Sequence, residues 1–342
     1  MKKLSSAFAV AMSGLLAIPT ALSARPMSRP PNVHGDLSGF WSNASVTQLQ
    51  RPGNLPKATL TQAEAQVLAQ ASPLVRRAAA DAQPTDAAQG APTDGVFANA
   101  SLNAFWIDPG RSFARVKEEY RTSWIVEPAS GRLPLTEAGR VRAGEAAATS
   151  AREDAIGPEQ LSPNDRCLIG SRGSGGPGML NNIYNSNYQI VQTPRAVVIV
   201  VEMVHDARII PLFANRTAAR AGHRPAALDL WLGDSVGWWE GDALVVETIN
   251  VNPQQGRFGP IFLSPRGQVT ERFRRVASRE IFYAFQVEDP VYYAQPWRAE
   301  MSLTALSGQT YEYACHEGNY GLAGVLAGAR AEDAKARKAR GS

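Results

Sequence analysis

The chain has 342 residues, with 35 basic and 31 acidic side chains, 44% hydrophobic residues and two cysteines. That length supports one large domain or two modest ones with a substantial core. The net charge of +4 falls to +2 once Lys2 and Lys3 are set aside, and no basic groove interleaved with aromatics occurs, so no nucleic-acid partner is expected.

Met1-Lys2-Lys3 and the uncharged residues 4–24 read as a secretory signal: a basic start, an apolar stretch rich in Ala and Leu, and small residues at the end. Cleavage is expected after Ala24 or after Ser23. Ser13, Gly14, Pro19 and Thr20 interrupt this stretch, which falls short of the ~20 apolar residues of a bilayer span. No later segment is long and apolar enough either, so the mature chain is expected to be periplasmic or secreted, with no membrane span. Residues 25–34 are rich in Pro and Arg and are expected to form an extended leader. Gly35 to Trp41 reads as a turn entering a strand. Residues 59–82 carry a helix signature, with a start at Leu60-Thr61-Gln62-Ala63-Glu64 and an apolar face of Val67, Leu68, Leu74 and Val75. Residues 83–100 are of low complexity and read as a loose loop. A second helix is expected over 135–152, with Thr136 as its N-cap.

From about Asn187 the pattern becomes one of β-branched and aromatic runs separated by Gly and Pro turns. Two runs flank Pro194-Arg195, a hairpin turns at Glu240-Gly241-Asp242, and further runs start at Val269, Glu280 and Tyr311. In the Glu280 run, Ile281, Tyr283, Phe285 and Val287 share one strand face. The expected fold is mainly β, an antiparallel barrel or strongly curved sheet with N-terminal helices and a C-terminal helix from Leu322 to about Arg340. The expected division is an N-terminal strand and helical or loop region over 35–160, an antiparallel β domain over 161–330 and a solvated tail over 331–342.

The cysteines, Cys167 and Cys315, are expected to form a disulfide in an oxidising compartment, the other reading being two buried thiols. Of the four histidines, His34 lies in the leader and His223 in the polar stretch 216–225, where both are expected to be solvated. Val204-His205-Asp206-Ala207-Arg208 closes an apolar strand and groups an imidazole, a carboxylate and a guanidinium. Cys315-His316-Glu317-Gly318-Asn319-Tyr320 follows another run. These groups are expected to meet at one mouth of the barrel, with His205 or His316 moving a proton, Asp206 or Glu317 orienting the imidazole, and Arg208 or Tyr320 holding a developing anion. Tyr188, Trp239 and Asn319 are candidate substrate contacts. A metal site from His205, Asp206, His316 and Glu317 lacks the regular ligand spacing of zinc motifs, so the chemistry is read as free of metal and cofactor. Residues 170–178 are glycine-rich without the Gly-Lys-Ser/Thr ending of a phosphate cradle and read as a flexible loop. Gly233-Asp234-Ser235-Val236-Gly237 has the letters of a nucleophile elbow but leads into a hairpin rather than a helix.

Several longer motifs carry a resemblance. Arg121-Thr122-Ser123, Asp165-Arg166-Cys167-Leu168, Tyr188 through Pro194, Glu202 through Ile210, Trp239-Glu240-Gly241-Asp242, Val287-Glu288-Asp289-Pro290 and Tyr311 through Gly321 together resemble a large family of exported, largely uncharacterised bacterial proteins of acidobacteria and alphaproteobacteria. The likeness covers about residues 121–330 and implies export, and it brings no activity with it. Gly39-Phe40-Trp41 also looks like the Gly-x-Trp that opens lipocalin-type barrels, which implies a small apolar ligand. Two functions follow as expectations. The first is an exported lyase, isomerase or hydrolase using acid–base chemistry on a small aromatic or lipid-like molecule. The alternative is a non-catalytic periplasmic lipocalin-like binding protein with the same cavity. The ionisable groups at the mouth favour the enzyme.

Overall fold

The β-branched and aromatic runs become the staves of a closed barrel. In the computed structural model, residues 35–81, 107–150, 157–170, 173–225, 227–228 and 230–340 are described. The expected signal peptide, the leader with His34 and the low-complexity stretch 83–100 lie outside these residues. In chain order, strand β1 (Gly39–Ser42) is followed by β2 (Thr59–Leu60) and by helices α1 (Gln62–Ala71) and α2 (Pro73–Asp81). Then come β3 (Arg115–Val116), β4 (Glu119–Arg121), β5 (Ile125–Glu127) and α3 (Glu137–Ser150). The main run of strands is β6 (Asn187–Gln192), β7 (Ala196–Val201), β8 (Ala207–Phe213), the short helix α4 (Arg216–Ala221), β9 (Asp234–Glu240), β10 (Ala243–Ile249), β11 (Gln268–Ala277), β12 (Glu280–Glu288) and β13 (Trp297–Ala305). Helices α5 (Cys315–Gly318) and α6 (Tyr320–Arg340) end the described chain.

Strands β1 and β6 to β13 pair in sequence, and β13 returns to β1 through Trp41↔Ala305 and Ser42↔Thr304, which closes the barrel. Closure leaves no open sheet edge there. Strand β5 adds to β13, and β2, β4 and β3 form a small separate sheet. The barrel draws β1 and β5 from the N-terminal region, so the expected division at residue 160 is crossed by its hydrogen bonds.

Several elements follow from local chemistry. Thr61 caps α1 in a reciprocal box with Glu64, and the Thr136 hydroxyl accepts from Gly139 N at 3.0 Å at the start of α3. The β9–β10 hairpin turns at Gly241, whose φ of 62° is the left-handed value that glycine adopts without a side-chain clash. Other elements differ from expectation. Val67 does not belong to the buried face of α1, being 65% exposed; the helix packs through Ala65 and Ala69 against Phe113. The barrel is mixed rather than wholly antiparallel, because β8 and β9 pair in parallel through Leu212↔Gly237 and Phe213↔Trp238. A parallel pair needs a long crossover, which residues 214–233 supply; α4 within it lays Ala219 on an outer patch of Val236, Trp238 and Val245. Residues 311–314 are not a strand, for β13 is already paired on both sides and offers them no edge.

Inside the barrel, residues of alternating parity meet. Trp41, Tyr188, Ile199, Phe273, Tyr283, Phe285 and Trp297 are all essentially inaccessible, and Tyr283 stacks on Phe273 with ring centres 4.6 Å apart. The glycine-rich stretch, expected as a flexible loop, is instead buried over 174–180 and runs into the barrel. Among the described residues no helix is long and apolar enough to cross a membrane. Cys167 and Cys315 are joined in a disulfide with a Cα separation of 5.7 Å. Closing a loop of 148 residues stabilises the fold by about 5 kcal/mol in the chain-entropy model.

Candidate functional site

The corner between β7 and β8 is where the sequence concentrates its ionisable groups, and its backbone is unusual. Val204 has φ 60° and His205 φ 45°. A β-branched residue in the left-handed region is strained, and such strain persists only where the surroundings over-determine it. Here Met203 and Val204 are driven into the core, at 0% and 4% exposure, while His205 turns out to solvent. Glu202 anchors the corner from below. It is buried, and its carboxylate accepts from Asn187 Nδ2 at 2.6 Å and from Tyr311 N at 2.9 Å.

Asp206 sits half-buried beyond the strained pair, its Oδ2 accepting from Gly170 N at 2.8 Å. Burial pushes its carboxyl up from 3.8 to about 6, with the Gly170 hydrogen bond and the neighbouring His205 charge opposing the shift. His205 Nδ1 lies 3.2 Å from the main-chain oxygen of Tyr313. Burial raises the Tyr313 phenol to about 12, and the adjacent, hydrogen-bonded Tyr184 adds to the effect. The disulfide organises this corner from behind. Cys167 leads into Gly170, the donor to Asp206, and Cys315 follows Tyr313, the partner of His205. Asn319 strengthens the tie, donating from Nδ2 to Asp165 O at 2.8 Å.

The expected residues therefore divide. His205, Asp206 and the segment carrying His316 share one end of the barrel, where His205 and His316 are both exposed. Glu317 is exposed and Tyr320 is 84% exposed, at the junction of α5 and α6. Asn319 bonds main chain rather than facing a cavity. Among the described residues no three His, Cys, Asp or Glu side chains are placed to hold a metal ion.

Arg208, Tyr188 and Trp239 belong to a different layer. Arg208 points into the barrel, 3% exposed, and pairs in fork geometry with Glu271: Nη1 donates to Oε1 at 3.0 Å and Nη2 to Oε2. Nη2 also reaches Ser235 Oγ and Thr248 Oγ1, each at 3.3 Å, so Ser235 is a buried strand residue and not an exposed nucleophile. Tyr283 donates its hydroxyl to Glu271 Oε1 at 2.7 Å, and burial raises that phenol well above its ordinary value, with the Glu271 charge adding to the shift. Tyr188, wholly buried, donates to Ser174 O at 3.2 Å. Trp239 is half-buried and packs on the core. Arg208 is thus not at the mouth beside His205, because the residue parity of β8 sends Arg208 and Ile210 inward.

The buried glycine-rich segment closes over this network with its backbone. Gly178 N donates to Glu271 Oε1 at 3.3 Å, Met179 N to Tyr283 Oη at 3.0 Å, and Gln255 Nε2 donates to Gly176 O at 2.7 Å. A Cβ on Gly176 would stand 2.6 Å from Arg208 Nη1, so only glycine allows this approach. No sequence motif marks Glu271 or Thr248, while Ser235 stands out only within the elbow-like Gly233–Gly237 letters and Tyr283 only as a strand-face residue. The signal was present in strand parity: Glu271 lies between Val269 and Phe273 on the inward face of β11, a charge where the pattern demands an apolar group.

His223 also departs from expectation. It is not solvated: its side chain is 9% exposed, with Nδ1 2.8 Å from Asp234 Oδ2 and Nε2 3.5 Å from Glu247 Oε1. Arg224 pairs with Asp234 and Arg220 with Glu247, so the cluster fastens the β8–β9 crossover to the outside of the barrel. Comparison with protein-family models, curated proteins and solved structures gave no match.

Proposed function

We propose that the chain is an exported enzyme that acts without a cofactor on a small aromatic or lipid-like molecule, by acid–base chemistry at the β7–β8 corner. The observation that carries this reading is Asp206: a half-buried carboxyl raised to about 6, set beside a left-handed backbone at the barrel end. A carboxyl whose affinity for protons lies near neutral pH gives and takes them with little loss in either direction. Perturbed groups and strained backbone of this kind cluster at functional sites. In this reading Asp206 replaces the histidines as the group that moves the substrate's proton. His205, exposed beside it, passes the proton to solvent. Tyr311, 73% exposed, and Tyr313 supply aromatic surface for the substrate.

The lipocalin-like alternative needs an open interior. Here Tyr188, Tyr283, Phe285 and the segment over 174–180 occupy it, which weighs against that alternative. The test is a turnover screen of the oxidised protein against phenolic, aryl-acid and fatty-acyl compounds. A substrate that is found should show a kcat/KM profile with a limb near pH 6. Asp206→Asn should lose ~100-fold or more in turnover while His205→Ala loses less. Saturable binding without product, unchanged in Asp206→Asn, would leave the binding protein as the surviving reading.

A further inference from the structure

A hollow lies away from the β7–β8 corner, and none of that corner's residues lines it. It has a volume of about 380 Å³ and sits where the barrel closes, between the chain after β1, residues 111–118 and the outer faces of β12 and β13. That volume is within the ~300–1,000 Å³ of small-molecule sites. Its walls combine hydroxyl groups, among them Ser112, Ser302 and Thr304, with an apolar share from Ala44, Phe113 and Ala114.

Four charged side chains line it and balance in sign. Arg115 and Glu118 are paired with each other. The other two, Arg111 and Glu280, are available to a ligand. Ser302 Oγ, on a residue 6% exposed, lies 2.7 Å from Glu280 Oε1 and 2.9 Å from Arg115 O and shares its one proton between these two acceptors. The carboxylate is thereby oriented by a buried hydroxyl, and its Oε2 has no hydrogen-bond partner among the described residues. Arg111 is exposed, and its guanidinium has no partner among the described residues.

We infer that this hollow binds a neutral saccharide. A fixed carboxylate accepts from hydroxyls and a guanidinium donates to them, and each sugar hydroxyl does both. The Arg111 guanidinium supplies donors and the Glu280 Oε2 an acceptor for hydroxyls of one ring. The balanced charge of the walls favours a neutral ligand over an acidic or basic one.

The test is titration of the intact, oxidised protein with glucose, N-acetylglucosamine and cellobiose, with galacturonate and glucosamine as charged counterparts, followed by ligand-observed NMR and calorimetry. A neutral sugar should bind saturably, more tightly than its charged counterpart. Arg111→Ala and Glu280→Gln should each weaken binding about tenfold or more, while Asp206→Asn binds as the parent does. Arg111 is exposed, so that variant tests the site without threatening the fold; the Glu280 variant is read only after its unfolding midpoint matches the parent. No saturable binding of any neutral sugar up to about 50 mM, far above a millimolar Kd, would overturn the inference. So would binding left intact by Arg111→Ala.

Discussion

Replacing Asp206 by asparagine should make the protein more stable at pH 8 and less active at every pH. The carboxyl is raised from 3.8 to about 6 chiefly by burial, so the folded chain holds its proton more tightly than the unfolded chain does. The sign follows from linkage. A group with a raised folded value contributes stability that is fully present below about pH 4 and is lost as pH rises through about 6. A gap of roughly two pH units at about 1.4 kcal/mol per unit sets a ceiling of about 3 kcal/mol. The asparagine side chain keeps an oxygen to accept from Gly170 N but carries no charge to desolvate. Urea unfolding of parent and variant at pH 4, 6 and 8, with the disulfide intact, isolates this single group, because all other titrations are common to both proteins. The variant should match the parent near pH 4 and exceed it by up to about 3 kcal/mol at pH 8. A gain in stability that accompanies lost activity is the mark of a functional group kept in an unfavourable place. An Asp206→Asn variant that is less stable than the parent at pH 8, or that keeps the parent's pH dependence, would refute the reasoning.

Other outcomes follow from the same structure. Removing one member of the buried Arg208–Glu271 pair, as in Glu271→Gln or Arg208→Met, should cost about 3–5 kcal/mol, and a double change to apolar residues should cost less than the two singles together, as read from a chemical-denaturation cycle. Gly176→Ala should lower the unfolding midpoint, since its new methyl meets Arg208 Nη1 at 2.6 Å; an unchanged midpoint would show that the glycine segment does not close the network. Replacing both cysteines by serine should cost about 2–5 kcal/mol. It should also increase amide exchange at Gly170 and Cys315, the segments that hold Asp206 and His205, and equal protection in both proteins would contradict the clamp.

Much of the barrel was legible because strand periodicity is local. Ile281, Tyr283, Phe285 and Val287 were placed on one face by alternation alone, and all four are buried. The disulfide followed from cysteine count and compartment. What escaped depends on partners distant in the chain. His223 looked solvated because its neighbours are polar, yet its carboxylate partners, Asp234 and Glu247, arrive from β9 and β10. The glycine-rich stretch looked like a loose loop because nothing local shows that Glu271, Tyr283 and Gln255 bond its backbone. Tyr311 to Cys315 had the composition of a strand, but strand formation needs a free edge and barrel closure had used the last one. Arg208 was noted for its charge when its parity on β8 was the better guide to its place.

Proton transfer at Asp206 can be read without knowing the reaction. The oxidised protein is incubated in heavy water with the phenolic, aryl-acid and fatty-acyl panel, and deuterium entering carbon positions of each compound is followed by mass spectrometry and NMR. Abstraction and return of a proton at carbon labels a molecule even when no net product accumulates. The account predicts that at least one compound takes up deuterium, with a rate that follows a group titrating near pH 6 and falls ~100-fold or more in Asp206→Asn. Compounds that bind saturably but remain unlabelled, or labelling that continues undiminished in Asp206→Asn, would contradict it.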